Sequence, residues 1–124
     1  MRVVLADREA DLMTALWDHG PSTVSEVRER LRDDLAYTTV LTILRNLEAK
    51  GYVGHKEEGR AHRFYALVPR DVARKSALSQ LSSRLFKGST ELLLTHLVSE
   101  HDLTDEELRR IRRLLNQRTK KGTE

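Results

Sequence analysis

The chain contains no cysteine. Disulfides, thiolate metal sites and cysteine nucleophiles are excluded with it, and the composition suits a reducing compartment. Long apolar runs are missing as well. None approaches the roughly 18 residues that a membrane span needs, so no membrane insertion is expected. The opening residues MRVVLADREAD turn charged too soon to serve as the apolar core of a secretory signal, and the expected location is cytoplasmic. A strong excess of one charge is also lacking. Lys and Arg number 22 against 19 Asp and Glu, ten against eleven over residues 1–68 and twelve against eight over 69–124. Bulk charge alone therefore does not point to nucleic acid.

Catalytic signatures are absent too: there is no glycine-rich phosphate loop, nucleophile elbow or carboxylate pair in apolar surroundings. Asp33-Asp34 and Glu57-Glu58 read as exposed turn residues. Neither an enzyme nor a cofactor is expected, and no internal repeat or low-complexity tract is present.

What is there is helical punctuation. Leu12, Met13, Leu16 and Trp17 give a stripe over residues 7–19, which Gly20-Pro21 stops in the usual C′-glycine, then-proline order. Thr23-Val24-Ser25-Glu26 is a capping box opening a second helix with Val24, Val27 and Leu31 inward. After a turn at Asp33-Asp34, AYTTVLTILRNLEAKG predicts a third helix over about 37–50, ended by Gly51. The second and third helices read as a helix-turn-helix. Two β-rich runs over about 52–68 then flank a four-residue turn, Glu57–Arg60, and predict a hairpin. Helix-turn-helix followed by a hairpin is the winged-helix order.

The third helix is odd on its polar side. At about 100° per residue, Thr38, Thr39, Thr42, Arg45 and Asn46 share one arc, while Val40, Leu41, Ile43, Leu44 and Leu47 fill the other, interrupted only by Glu48. Threonine costs a few tenths of a kcal/mol each in a helix. Short hydroxyls followed by longer donors suit a helix whose N-terminal end enters a DNA major groove. Tyr37 falls in the apolar arc but, at the helix start, is counted with the DNA-facing set. The wing adds Lys56, Arg60, His62 and Arg63 for phosphate or minor-groove contact, with Glu57 and Glu58 opposing them. A winged helix used only for protein contact would present an apolar or acidic face instead, and this one is neither.

Beyond Pro69, helices are predicted over residues 70–86, from the Ser89 cap to about Glu100, and from the Thr104–Glu107 capping box to a polar tail near Arg118. Leu103 and Leu108 fit a hydrophobic staple around that box. Leu78, Leu81, Leu85, Leu93, Leu97, Leu108, Ile111 and Leu115 have no complete core of their own, and a second copy of the chain is the natural cover. The basic run Arg109–Arg113 reads as a solvated helix face, or as a source of nonspecific DNA affinity.

Five histidines raise a metal question. A symmetric Glu57–Arg60 turn would set His55 opposite His62, close enough to share a cation. No third ligand is evident unless Glu57 or Glu58 serves, and no metal is assigned. His96 and His101 are badly spaced for one helix face, and His19 complements a helix C-terminus.

The stretches Leu16-Trp17 with Gly20-Pro21, TVSEV, AYTTVLTILRNLEAKGYV, Gly59-Arg60-Ala61 and Leu85-Phe86 before Gly88-Ser89 resemble the penicillinase-repressor family, from about Ala10 to Leu115. The resemblance implies a dimeric repressor: a winged-helix DNA-binding domain, 1–68, on each half of a palindromic operator, and a helical dimerisation region, 69–124. It places Thr38, Thr39, Thr42 and Arg45 on the recognition helix and Lys56–Arg63 on the wing. It further implies release by proteolysis in the dimerisation region, triggered by a membrane-bound sensor protease, and a possible link to antibiotic resistance. The cysteine cluster of the copper-responsive branch is absent, and Leu94-Thr95-His96-Leu97 stands where the best-known cleavage pair would be.

Overall fold

A computed structural model describes the backbone of residues 2–122 and the side chains through Thr119. Its elements run α1 (Asp7–His19), β1 (Ser22–Thr23), α2 (Val24–Arg30), α3 (Tyr37–Ala49), β2 (Val53–Glu58), β3 (Ala61–Ala66), α4 (Arg70–Leu85), α5 (Thr90–Glu100) and α6 (Asp105–Gly122). The chain divides into two compact units, Met1–Gln80 and Leu81–Glu124. No helix among the described residues is long and apolar enough to cross a membrane.

The first unit is a winged helix. Its core joins Leu12, Met13 and Leu16 of α1, Val24 and Val27 of α2, Val40, Leu44 and Leu47 of α3, and Val53 and Phe64 of the hairpin. Each helix is placed by local chemistry. Gly20 takes φ +79° after α1, and Gly51 takes φ +82° after α3, both in the region that side chains disfavour. Thr23 and Glu26 make the reciprocal capping bonds of α2 at 3.2 and 2.9 Å.

The sheet differs from the sequence expectation in two ways. It has three strands in the order β1-β3-β2, because Ser22 and Thr23 pair with Phe64 and Arg63. Two residues between a helix stop and a helix cap carry no alternation to read, so only long-range pairing defines this strand. The hairpin turn is also shorter. Glu58 pairs with Ala61, leaving Gly59-Arg60 as the loop, with Gly59 at φ +63° in the glycine-first arrangement of type II′ turns. His55 consequently faces Phe64 and His62 faces Glu57, so the expected His55–His62 register pair does not form. Within β2, Gly54 lies under the Tyr65 ring, which a Cβ would meet at 2.7 Å.

One buried carboxylate supports α3 from behind. Glu9 is only 7% exposed; both its oxygens accept from Lys50 Nζ at 2.9 Å, and one also accepts from the Ala6 amide. Lys50 caps the C-terminus of α3, so this pair joins the start of α1 to the end of α3. Burial pushes the Glu9 carboxyl up, but the Lys50 and Ala6 hydrogen bonds outweigh it and hold the group below its usual range. A depressed folded-state pKa contributes stability above the ordinary carboxylate value, and that stability is lost as pH falls through the folded value. Lys50→Met should cost about 1–3 kcal/mol near neutral pH, a penalty that shrinks as pH falls and Glu9 becomes protonated. Urea unfolding across about pH 3–7 measures this, and parallel curves for variant and wild type would refute it.

The second unit exposes much of its apolar surface. Ser89 accepts from the Leu92 amide at 3.1 Å to cap α5, and Thr104 with Glu107 forms the capping box of α6. Lys87 and Gly88 take positive φ between α4 and α5, and Phe86 meets His96 edge-on at 5.4 Å. Helix α5 has no buried residue. Helix α6 continues to Gly122, past the tail expected at Arg118, because QRTKK holds no helix breaker.

Candidate nucleic-acid interface

Helix α3 divides as its periodicity requires. Val40, Leu44 and Leu47 are fully buried, and Leu41 and Ile43 are half-buried. Thr38, Thr39, Thr42, Arg45 and Asn46 are exposed. Tyr37 is exposed too, on the open side of the helix start rather than in the apolar face. The N-cap Ala36 offers no side-chain bond and the first turn holds no acidic residue, so the leading amides and the positive end of the helix dipole stay available to an anion.

The threonines are not equivalent. Thr42 donates its hydroxyl proton to the Thr38 carbonyl at 2.9 Å. What it offers a partner is an acceptor oxygen and a methyl group, which suit a base amino group or a thymine methyl. Among the described residues Arg45, Lys56 and Arg60 carry no salt bridge, so their charge is uncompensated within the chain.

Arg63 is differently placed. Its Nε donates to Glu58 Oε2 at 2.5 Å, and its Nη1 donates to Glu26 Oε1 at 3.0 Å and to the Pro21 carbonyl at 3.2 Å. The Glu58 hydrogen bond, with the nearby Glu58 and Glu26 charges, raises its already high pKa. Glu26 is held low by the Thr23 amide and hydroxyl before Arg63 adds its charge. The guanidinium therefore ties the wing to α2 and to the segment before β1. Arg30 extends the network by donating to the buried Ser22 hydroxyl at 2.6 Å.

Glu48, the residue that interrupts the apolar arc of α3, finds its reason in the wing. Its Oε2 contacts His55 Nδ1 on β2. The His55 ring stacks on His62 at 4.7 Å, with the planes 13° apart, and lies 5.5 Å from Phe64. His62 is thus half-buried, stacked on the histidine that meets α3, rather than projecting freely. Among the described residues no group of three His, Asp or Glu suits a metal ion. Sequence reasoning marked Glu48 as an anomaly without its partner. It also missed Arg28, whose Nε donates to the Leu35 carbonyl at 2.6 Å and fixes the approach to α3. Arg8, paired with Asp33, holds the same loop from α1.

The comparisons with known proteins agree with this geometry. The family model described as penicillinase repressor matches residues 5–117. The transcriptional regulator BlaI of Mycobacterium tuberculosis is 38% identical over 98 residues, covering 76% of this chain and 71% of that protein. The methicillin resistance regulatory protein MecI of Staphylococcus aureus is 21% identical over 116 residues, covering 92% and 94%. A MarR family protein from Bacillus stearothermophilus superposes with a TM-score of 0.53 at 17% identity, over 98% of this chain and 78% of that one, and speaks for the fold alone. These relatives are regulators rather than enzymes. With a match across nearly its whole length and a helix-turn-helix backed by a wing, the chain belongs to the penicillinase repressor family and is a DNA-binding, winged-helix transcriptional repressor.

Proposed function

We propose that the chain acts in the cytoplasm as a homodimer on a palindromic operator. Tyr37, Thr38, Thr39, Thr42, Arg45 and Asn46 enter the major groove, and Lys56 and Arg60 meet phosphates from the wing, with His62 at its edge. The observation that carries this reading is the exposed face of α3, which sets short hydroxyls and an unpaired Arg45 on a fully buried apolar back. Residues 1–68 supply the DNA contacts, and the helices after Pro69 supply the dimer. Leu78, Leu81, Leu85, Leu97, Leu108 and Leu115 are exposed in the single chain, Leu85 by 72%, and Leu93 and Ile111 are half-covered. Release is assigned to an inducing signal acting on these helices, and the family resemblance points to proteolysis downstream of a membrane sensor.

Selection of bound duplexes from a random pool at two salt concentrations tests the reading. A palindromic consensus with half-sites about one helical turn apart is expected. Recovery of no consensus, with binding that collapses at the higher salt, would leave backbone contact alone and move the role to protein interaction. On the selected duplex, Arg45→Ala should weaken binding by about 1–3 kcal/mol and relax preference at one base position. Unchanged affinity in a fluorescence titration would remove Arg45 from base recognition.

A further inference from the structure

The residues before α1 are bound both to α4 and to the segment between α3 and β2. Val3 is buried, and both its backbone groups are taken by side chains of α4: its N–H donates to Ser76 Oγ at 3.0 Å, and its carbonyl accepts from Gln80 Nε2 at 2.9 Å. The Val4 N–H donates to Tyr52 Oη at 3.1 Å. Two residues on, the Ala6 amide donates to Glu9, which holds Lys50 at the end of α3.

These contacts converge on two elements. Tyr52 lies between α3 and β2; its amide donates to the Leu47 carbonyl at 3.0 Å, and its carbonyl accepts from Leu67 at 2.8 Å and from Val68 at 3.3 Å. Ser76 and Gln80 stand one turn apart on α4, so together they fix the position of Val3 along that helix as apolar packing alone would not. The start of α4 is pinned separately. Arg70 pairs with Asp18 and lies over the Trp17 ring at 5.4 Å, and Trp17 Nε1 donates to the Val68 carbonyl at 2.9 Å. Ala73 and Ser76 are consequently buried, within the compact unit that runs to Gln80.

Helix α4 is the sole covalent route from the winged helix to the following helices. A helix held at its start and again two to three turns later leaves in one direction; held only at its start, it can swing. We infer that residues 2–5 form a clasp fixing the direction in which α4 leaves the winged helix. Tyr52, Ser76 and Gln80 are then positioning residues that set the half-site spacing the protein accepts. This inference rests on the dimeric operator reading, because spacing has meaning only when two recognition helices are coupled. Each base pair inserted between half-sites rotates them by about 34°, so a rigid arm rejects altered spacings and a loose one tolerates them.

The test uses the full-length protein and duplexes carrying two selected half-sites at spacings changed one base pair at a time, with a single half-site duplex beside them. Wild type should lose about tenfold or more in affinity when the spacing shifts by two base pairs. The double substitution Ser76→Ala with Gln80→Ala should bind the single half-site as wild type does, while its preference among spacings flattens to about threefold or less. Tyr52→Phe, which removes one hydroxyl and keeps the ring, should flatten the profile in the same direction, and exposed Ser79→Ala should leave it sharp. A double variant with the wild-type profile would overturn the clasp. So would a parallel loss at every spacing and on the single half-site, which would mean stability alone. A wild-type protein with no gain from a second half-site would instead overturn the dimeric operator reading, and the clasp with it.

Discussion

Phe64→Ala should destabilise the protein by about 3–5 kcal/mol, the range for truncating a buried phenylalanine. Phe64 sits on the central strand β3, facing Ser22 of β1 on one side and His55 of β2 on the other. It is 1% exposed, within a core drawn from α1, α2 and α3. Truncation there leaves a cavity where wing and helix-turn-helix meet, and little can collapse into it because all three strands are tied to one another. Against a total stability of about 5–15 kcal/mol, such a loss should move the urea midpoint far down and lower Tm by more than about 10 °C. A loss below about 1 kcal/mol would mean that the wing does not share the helical core.

The second large effect is expected at the proposed dimer. Leu97 lies on α5, a helix without one buried residue, and is 43% exposed. In a two-fold dimer each substitution occurs twice. Replacing a covered leucine by aspartate loses roughly 2 kcal/mol per copy from apolar burial and carboxylate desolvation. About 4 kcal/mol per dimer weakens association by roughly a thousandfold. Leu97→Asp should therefore run as a monomer in light scattering at micromolar concentration and lose the operator affinity that a second half-site supplies. Since α5 has no buried position, the change should leave the fold and the thermal transition of the first unit intact. A dimer that persists at the same concentration would place the interface elsewhere on the chain.

Arg63 illustrates why a list of basic residues is a weak guide to a DNA surface. Lys56 and Arg63 are directly opposite in the hairpin and equally suited to phosphate by residue type. Among the described residues Lys56 pairs with no acid, whereas Arg63 meets Glu58 and Glu26. The discriminating partner, Glu26, is far away in sequence on α2. The network is thereby a brace for the wing, and an arginine contributes to a DNA field only with the charge that its neighbours leave uncancelled.

Sequence alone settled the helices, their ends and the two faces of α3. Those depend on contacts within a turn or two: the Thr23, Ser89 and Thr104 caps, glycines at positive φ, and apolar residues at helical spacing. It determined that a hairpin follows α3, but the length of the turn and the identity of facing residues were left to tertiary structure. Either register leaves Phe64 on the same face, so the turn chooses between them: Gly59 at positive φ allows a two-residue loop, and that sets Phe64 opposite His55. Strand β1, the Glu9–Lys50 pair, the Glu48–His55 contact and the docking of Val3 on α4 were likewise decided only in three dimensions. Each joins groups from separate elements, and its free energy exists only once the fold has brought them together. A local pattern therefore marks such a residue, as it marked Glu48, but cannot name its partner.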